Sequence, residues 1–440
     1  RDDTGGDHSG DYGSRSVGII ASTHDDFYFG TYNDAGNMLT NPVAFMETDG
    51  AKKFLNFNED GFAGIAEGGK YYTRDFDGKT AYRVIYRPNM IHPLVAFSTT
   101  CVGYAVDFFD TTLGAPKPLP ASDQIWPIKA VFNSLGVIGL LIFMVSFTLV
   151  LLDTPVFSAL RSGEIVQPAP VQDSGAKAWY WVLLIIGAVF SGSSFLFCMN
   201  TVYSKTTNFF VQPGPLTIGT WAALCGIFAI FCSAVFYGAY GKKHGWSARR
   251  AGLYLNLEQL WKTIALAVIV IVVSFGLVFA AHYFFQVDYR MYVVAFKTFG
   301  ADKVLIALRY LPFFLLFYVM NSISANCFNY NTIGGKNGNI LIFAFFNALG
   351  AIFVVASQYI YFYATGYQLY GLTEGQRIGP IWLFPCMVLL FVTPIMSRII
   401  YKRTRNPYIA GLINAMFIVM ISCSNTTTIL GGGELIATTF

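Results

Sequence analysis

The sequence predicts a mainly α-helical polytopic membrane protein of about eight transmembrane helices, preceded by a smaller α/β segment. Three observations predict this. Hydrophobic residues make up 54% of the chain and charged residues only 12%, with a mean hydropathy of +0.50. Eight apolar runs, about 132–152, 178–198, 216–239, 260–284, 303–325, 339–363, 379–400 and 408–424, are each long enough to span roughly 30 Å of hydrocarbon. The charge is also divided along the chain. Residues 1–125 hold 17 Asp/Glu against 10 Lys/Arg, and residues 126–440 hold 8 against 19. An acidic soluble part therefore leads into a basic membrane part, and the overall +4 says nothing of nucleic acid.

Taken in order, residues 1–15 are Gly- and Asp-rich loop. Asp7-His8-Ser9-Gly10-Asp11 has the outward form of a nucleophile elbow. Such an elbow needs small residues two positions either side of the serine, and here both are aspartates with no apolar strand before them. Residues 17–22 read as a short buried strand, apolar on both faces, which delivers His24-Asp25-Asp26. Residues 27–66 are turn-rich and mixed. Tyr71–Phe76 and Thr80–Tyr86 alternate around Asp77-Gly78, a hairpin signal. The second of these strands leads into Ile91-His92-Pro93, and an amphipathic helix follows through Tyr104, Val106, Phe108 and Phe109. Residues 111–125 are a Pro-rich linker.

Beyond Trp126 the chain is membrane. Trp126, Trp179, Tyr180, Trp181, Trp261 and Trp382 stand at or near run ends, where aromatic belts belong. The last run is the shortest and the weakest. Twelve Lys/Arg follow runs one, three, five and seven, against six on the opposite side, which predicts the first set to be cytoplasmic and the N-terminal segment and C-terminus extracytoplasmic. The runs carry no paired acidic residues of the kind a proton-coupled transporter needs, and no Gly-rich phosphate loop supports an ATP-driven pump. Of seven cysteines only Cys101 is in the soluble part, and none has metal-type spacing, so neither a disulfide framework, a metal site nor a cofactor is predicted.

The candidate chemistry lies in the loops after the two strands. A general base must turn one ring nitrogen toward a nucleophile while a carboxylate holds the other, and a loop at the carboxyl edge of a sheet gives His92 that geometry. The bland reading is a surface histidine capping the helix that carries Tyr104. Asp25 and Asp26 stand where they could orient the imidazole, bind an ion or cap a helix, with Asp25 the better placed orienter. In the runs, Asn321, Asn326, Asn347 and Asn414 fall at similar depth. They could line a site, although interhelical hydrogen bonding is the commoner role.

Ser16–Phe27 with Tyr82–Phe109 resembles the last two strand-loop units of the α/β-hydrolase superfamily, in particular bacterial membrane proteins in which such a domain precedes a multi-spanning region. The resemblance is carried by VGIIAST with HDDF, by IYRPNMIHPLVAFST, and by the helix YAVDFF. It implies the C-terminal portion of an α/β-hydrolase-like domain at residues 1–110, a linker at 111–125 and a transmembrane domain at 126–440. By the same resemblance Asp25 (or Asp26) is the triad acid, His92 the base, and the substrate an amphiphilic ester or amide reached from the lipid bilayer. Nearly seventy residues separate Asp25 from His92, and no serine elbow is present. The chain opens on Arg1, so the nucleophile-bearing half is expected upstream and this segment is expected to be inactive alone. The alternative from another class is a transport or sensing membrane protein whose outer domain only binds.

Overall fold

The computed structural model describes residues 12–32, 38–117, 119–171, 173–203, 205–370, 374–429 and 435–436. The chain forms two compact units, Arg1–Lys129 with Val355–Ile381, and Ala130–Val354 with Trp382–Phe440. The Ser9 sequence lies outside the described residues.

In the first unit the strands β1 (Val17–Ile20), β2 (Tyr72–Phe76) and β3 (Lys79–Tyr86) form one sheet in the order β1-β3-β2. β1 runs parallel to β3, with Val17 opposite Arg83 and Ile20 opposite Tyr86, and β2 pairs antiparallel with β3. The β2–β3 turn is Asp77-Gly78, both at positive φ (49° and 79°), the primed geometry that matches the twist of a hairpin. Residues 27–66, read as turn-rich, also hold α1 (Asp49–Leu55), seven residues long with Thr48 as its N-cap. A helix of two turns with Gly50 and two lysines gives no 3.6-residue pattern long enough to see. It buries Ala51, Phe54 and Leu55 against Ala21 and Ile85.

Arg83 of β3 is almost fully buried and secures the chain before β1. Its guanidinium donates to the carbonyls of Arg15 and Gly13 and lies 4.6 Å from the centre of the Phe57 ring. The amphipathic helix is α2 (Thr99–Leu113), capped by the Ser98 hydroxyl accepting from the Cys101 amide at 3.3 Å. It packs so closely on β1 that a Cβ at Gly18 would meet Phe108 at 2.9 Å. Among the described residues of 114–125 there is no regular element, and Gln124 ties this stretch back by donating to the carbonyls of Thr99 and Ala121.

All eight apolar runs are helices: α3 (Trp126–Leu152), α4 (Ser174–Thr201), α5 (Pro213–Phe236), α6 (Leu257–Phe285), α7 (Ala301–Ile323), α8 (Gly335–Thr365), α9 (Glu374–Thr404) and α10 (Pro407–Ser424). Each is long and apolar enough to cross a bilayer, which makes this a multi-pass membrane protein. α10 is the weakest run for a structural reason. Buried over 78% of its apolar window, it is the central helix of the second unit, with Ile409, Ile413, Phe417 and Cys423 sealed from solvent and lipid. Close helix contacts are made at small residues, where a Cβ at Gly226 would meet the Leu316 carbonyl at 2.6 Å and one at Gly350 the Ala188 carbonyl at 2.7 Å.

The four amides are bonded between and within these helices. Asn321 donates to Asn347 at 2.6 Å and Asn347 to the Leu390 carbonyl at 2.7 Å. Asn326 donates to the Ser397 hydroxyl at 2.8 Å, and Asn414 to the Thr393 carbonyl at 3.2 Å. Arg398, counted in sequence with the loop after run seven, is instead buried inside α9, as is Lys303 inside α7. The Arg398 guanidinium donates to Asn326, Asn339 and the Ala325 carbonyl and stands 3.9 Å from the centre of the Tyr330 ring. Removing both from the loop count leaves eleven basic residues against five.

Candidate functional site

The site is built where β1 and β3 run out. Their parallel pairing continues into the loops beyond, since the amides of Ala21, Thr23 and His24 donate to the carbonyls of Tyr86, Pro88 and Met90. A last bridge joins His24 to Ile91. Two loops, the second stiffened by Pro88 and Pro93, are thereby carried side by side, and the residues after each bridge, Asp25-Asp26 and His92, meet. Arg87 fixes the base of the arrangement by donating to the carbonyls of Ala21, Pro42 and Val43. Burial pulls its guanidinium down to about 10, while the charge of Asp25 acts against that shift.

His92 Nδ1 lies 2.9 Å from Asp25 Oδ2. Asp25 is buried, and its other oxygen accepts from the Phe27 and Tyr28 amides at 3.0 and 2.6 Å, so the carboxylate is held by main chain before it meets the ring. The Ser22 hydroxyl adds a 3.3 Å contact to Oδ2. The hydrogen bond that the ring donates to Asp25 holds the imidazole above its ordinary pKa, against the opposing effect of burial. The His92 side chain keeps 39% of its surface, and among the described residues no hydrogen bond is made to Nε2. One edge of the ring is thus fixed on a buried carboxylate and the other is open, as a general base requires.

Asp26 does something different. Its Oδ1 accepts from the main-chain amide of His92 at 3.1 Å, and its Oδ2 accepts from the Tyr359 hydroxyl at 2.8 Å. It is fully buried, and that burial pushes its carboxyl up to about 6. The Gln368 amide donates to the main-chain carbonyl of Asp26. Neither Tyr359 nor Gln368 was identifiable from sequence. Tyr359 lies in the last turns of an apolar run, where it reads as lipid-facing, and nothing local marks it. His24 does not join the pair. Its Nδ1 stands 2.9 Å from Asn89 and its ring 4.4 Å from that of Tyr363, and burial lowers its pKa. The cap of α2 is Ser98, so His92 is not a helix cap for it.

The arrangement can take and return one proton at His92 Nε2 while Asp25 fixes the tautomer. Among the described residues no group of three or more His, Cys, Asp or Glu could hold a metal ion. The sequence placed His92, Asp25 and Asp26 as candidates, and the folded chain brings all three within hydrogen-bonding distance. No family model, no curated protein and no solved structure matches this chain.

Proposed function

We propose that this is a membrane-anchored serine hydrolase of the α/β type that cleaves an ester or amide of an amphiphilic substrate. The observation that carries the reading is the 2.9 Å contact between His92 Nδ1 and a buried Asp25 carboxylate at the end of a parallel strand pair, with the far edge of the ring open. In this reading His92 is the general base and Asp25 its orienting acid, while Asp26 holds the main chain of His92. The nucleophilic serine is carried outside the described residues. Its hydroxyl oxygen bonds to the substrate carbonyl carbon as its proton passes to Nε2. Collapse of the tetrahedral intermediate breaks the bond to the leaving group, which takes that proton. Water, deprotonated by the same nitrogen, then releases the acid and restores the serine.

A fluorophosphonate probe tests this on the full-length protein in membranes. Covalent labelling of one serine, blocked by prior heat denaturation, is the expected result. Absence of any labelled serine would leave Asp25 and His92 as a structural pair in a binding domain.

A further inference from the structure

A cavity of about 110 Å³ lies inside the second unit, walled by α4, α5, the end of α7 and α8. Its lining includes Ser191, Cys225, Asn321, Asn329 and Asn347 among several phenylalanines, and no lining residue is charged. A second cavity of about 40 Å³ adjoins it, sharing Ser191, Cys225 and Phe317. There the wall is apolar, formed by Trp221, Tyr318, Leu389 and neighbours. An engineered apolar cavity of roughly 150 Å³ is enough to take up benzene, so the pair has room for part of an alkyl chain. The end of α7 that borders it is a π-helical turn, Ser324–Phe328, a distortion often found at functional sites.

The hydrogen bonds show what the polar end lacks. Asn347 Nδ2 donates to the Leu390 carbonyl, which can only accept, so Asn347 must offer its oxygen to Asn321. Asn321 therefore presents its NH2 to Asn347 and is left with a carbonyl. Asn329 is fixed in the same way, its NH2 donating to the Ser324 carbonyl at 2.8 Å. Among the described residues nothing donates to Asn321 Oδ1 or Asn329 Oδ1. Both residues are more than nine-tenths buried and both line the cavity. Both oxygens border the cavity, so a hydroxyl group bound there has two acceptors to donate to.

We infer that the cavity binds a neutral single-chain amphiphile whose hydroxyl groups donate to Asn321 and Asn329 and whose alkyl part reaches toward Trp221 and Leu389. A carboxylate or phosphate head is disfavoured, because it accepts where donors are needed and finds no cation in the wall. The inference rests on the second unit alone and is independent of the Asp25–His92 reading.

The test uses full-length protein purified in detergent and a monoacylglycerol bearing a diazirine on its chain. Saturable photolabelling of cavity-lining peptides is expected, displaced by unlabelled monoacylglycerol and at least tenfold less well by the free fatty acid. Gly187 lines the cavity and a Cβ there would meet no heavy atom within 4 Å, so Gly187→Leu starts in open space and extends its side chain at the cavity wall. It should cut labelling at least tenfold at an unchanged melting temperature, whereas Val189→Leu, on an exposed face of the same helix, should not. Non-saturable labelling, equal labelling of Gly187→Leu, or equal competition by the fatty acid would overturn the inference. If Gly187→Leu fails to fold, the saturation and competition measurements on the unaltered protein decide.

Discussion

The hydroxyl of Tyr359 donates to the buried Oδ2 of Asp26 at 2.8 Å, across 333 residues of sequence. The other oxygen of that carboxylate accepts the main-chain amide of His92, so one side chain joins the late segment of the first unit to the loop that bears the candidate base.

This contact has a pH signature. Burial raises the Asp26 carboxyl from 3.8 to about 6. Below pH 4 it is protonated folded or unfolded and contributes no difference. As pH rises through 6 the folded state alone bears the cost of ionising it in place, so the native chain loses stability over that window. Asp26→Asn has no such proton, and the Tyr359 hydroxyl can turn to accept from the new amide. Melting curves of the two proteins should diverge in favour of Asp26→Asn between pH 4 and 7, by up to about 3 kcal/mol. Tyr359→Phe should instead lower stability at pH 7, because the ionised carboxylate loses a donor. A constant difference across that range would contradict the assignment.

The His92 ring gives a second signature. Its hydrogen bond to Asp25 raises its pKa above 6.5, and only the neutral ring can accept a proton. The rate of fluorophosphonate labelling should therefore rise with pH through a midpoint above 6.5. Asp25→Asn should lower that midpoint toward 6.5 and slow labelling by about 10⁴-fold, as an amide no longer stabilises the imidazolium. An unshifted midpoint would separate Asp25 from the base.

For the intramembrane amides the expectation is a stability effect. Asn347→Leu removes both the Asn321 contact and the donor to Leu390, and Asn326→Leu strips the Arg398 guanidinium of a partner. Each should lower thermal stability in detergent by about 1–3 kcal/mol. Labelling per folded molecule should stay near that of the native protein. Loss of labelling at unchanged stability would assign these residues a part in the reaction.

Orientation can be read from thiol labelling in intact cells. With basic residues concentrated after helices α3, α5, α7 and α9, a cysteine at Ala121 should react with an impermeant maleimide from outside and one at Ser247 should not. The reverse pattern would invert the topology.

Much of this was legible in the sequence where the signal was local. The alternation around Asp77-Gly78 gave the hairpin, the apolar run at Val17 gave β1, and the loops after β1 and β3 pointed to Asp25, Asp26 and His92. Eight runs gave eight helices. The failures are non-local. α1 is too short to show a period. Arg398 looked like a loop cation because its partners, Asn326, Asn339 and the Tyr330 ring, are brought to it only by the fold. Tyr359 carries no mark that separates it from its apolar neighbours. The parallel pairing of β1 with β3, which brings Asp25 to His92, spans more than sixty residues and has no sequence signature.

Fluorophosphonate labelling of His92→Ala in the full-length protein, set beside its melting temperature, tests whether His92 is the base. Truncating a half-exposed ring should leave the fold intact. Labelling of the serine should fall to background while the protein melts as before. Labelling of His92→Ala at the native rate would show that the serine is activated without it, and His92 would not be the base.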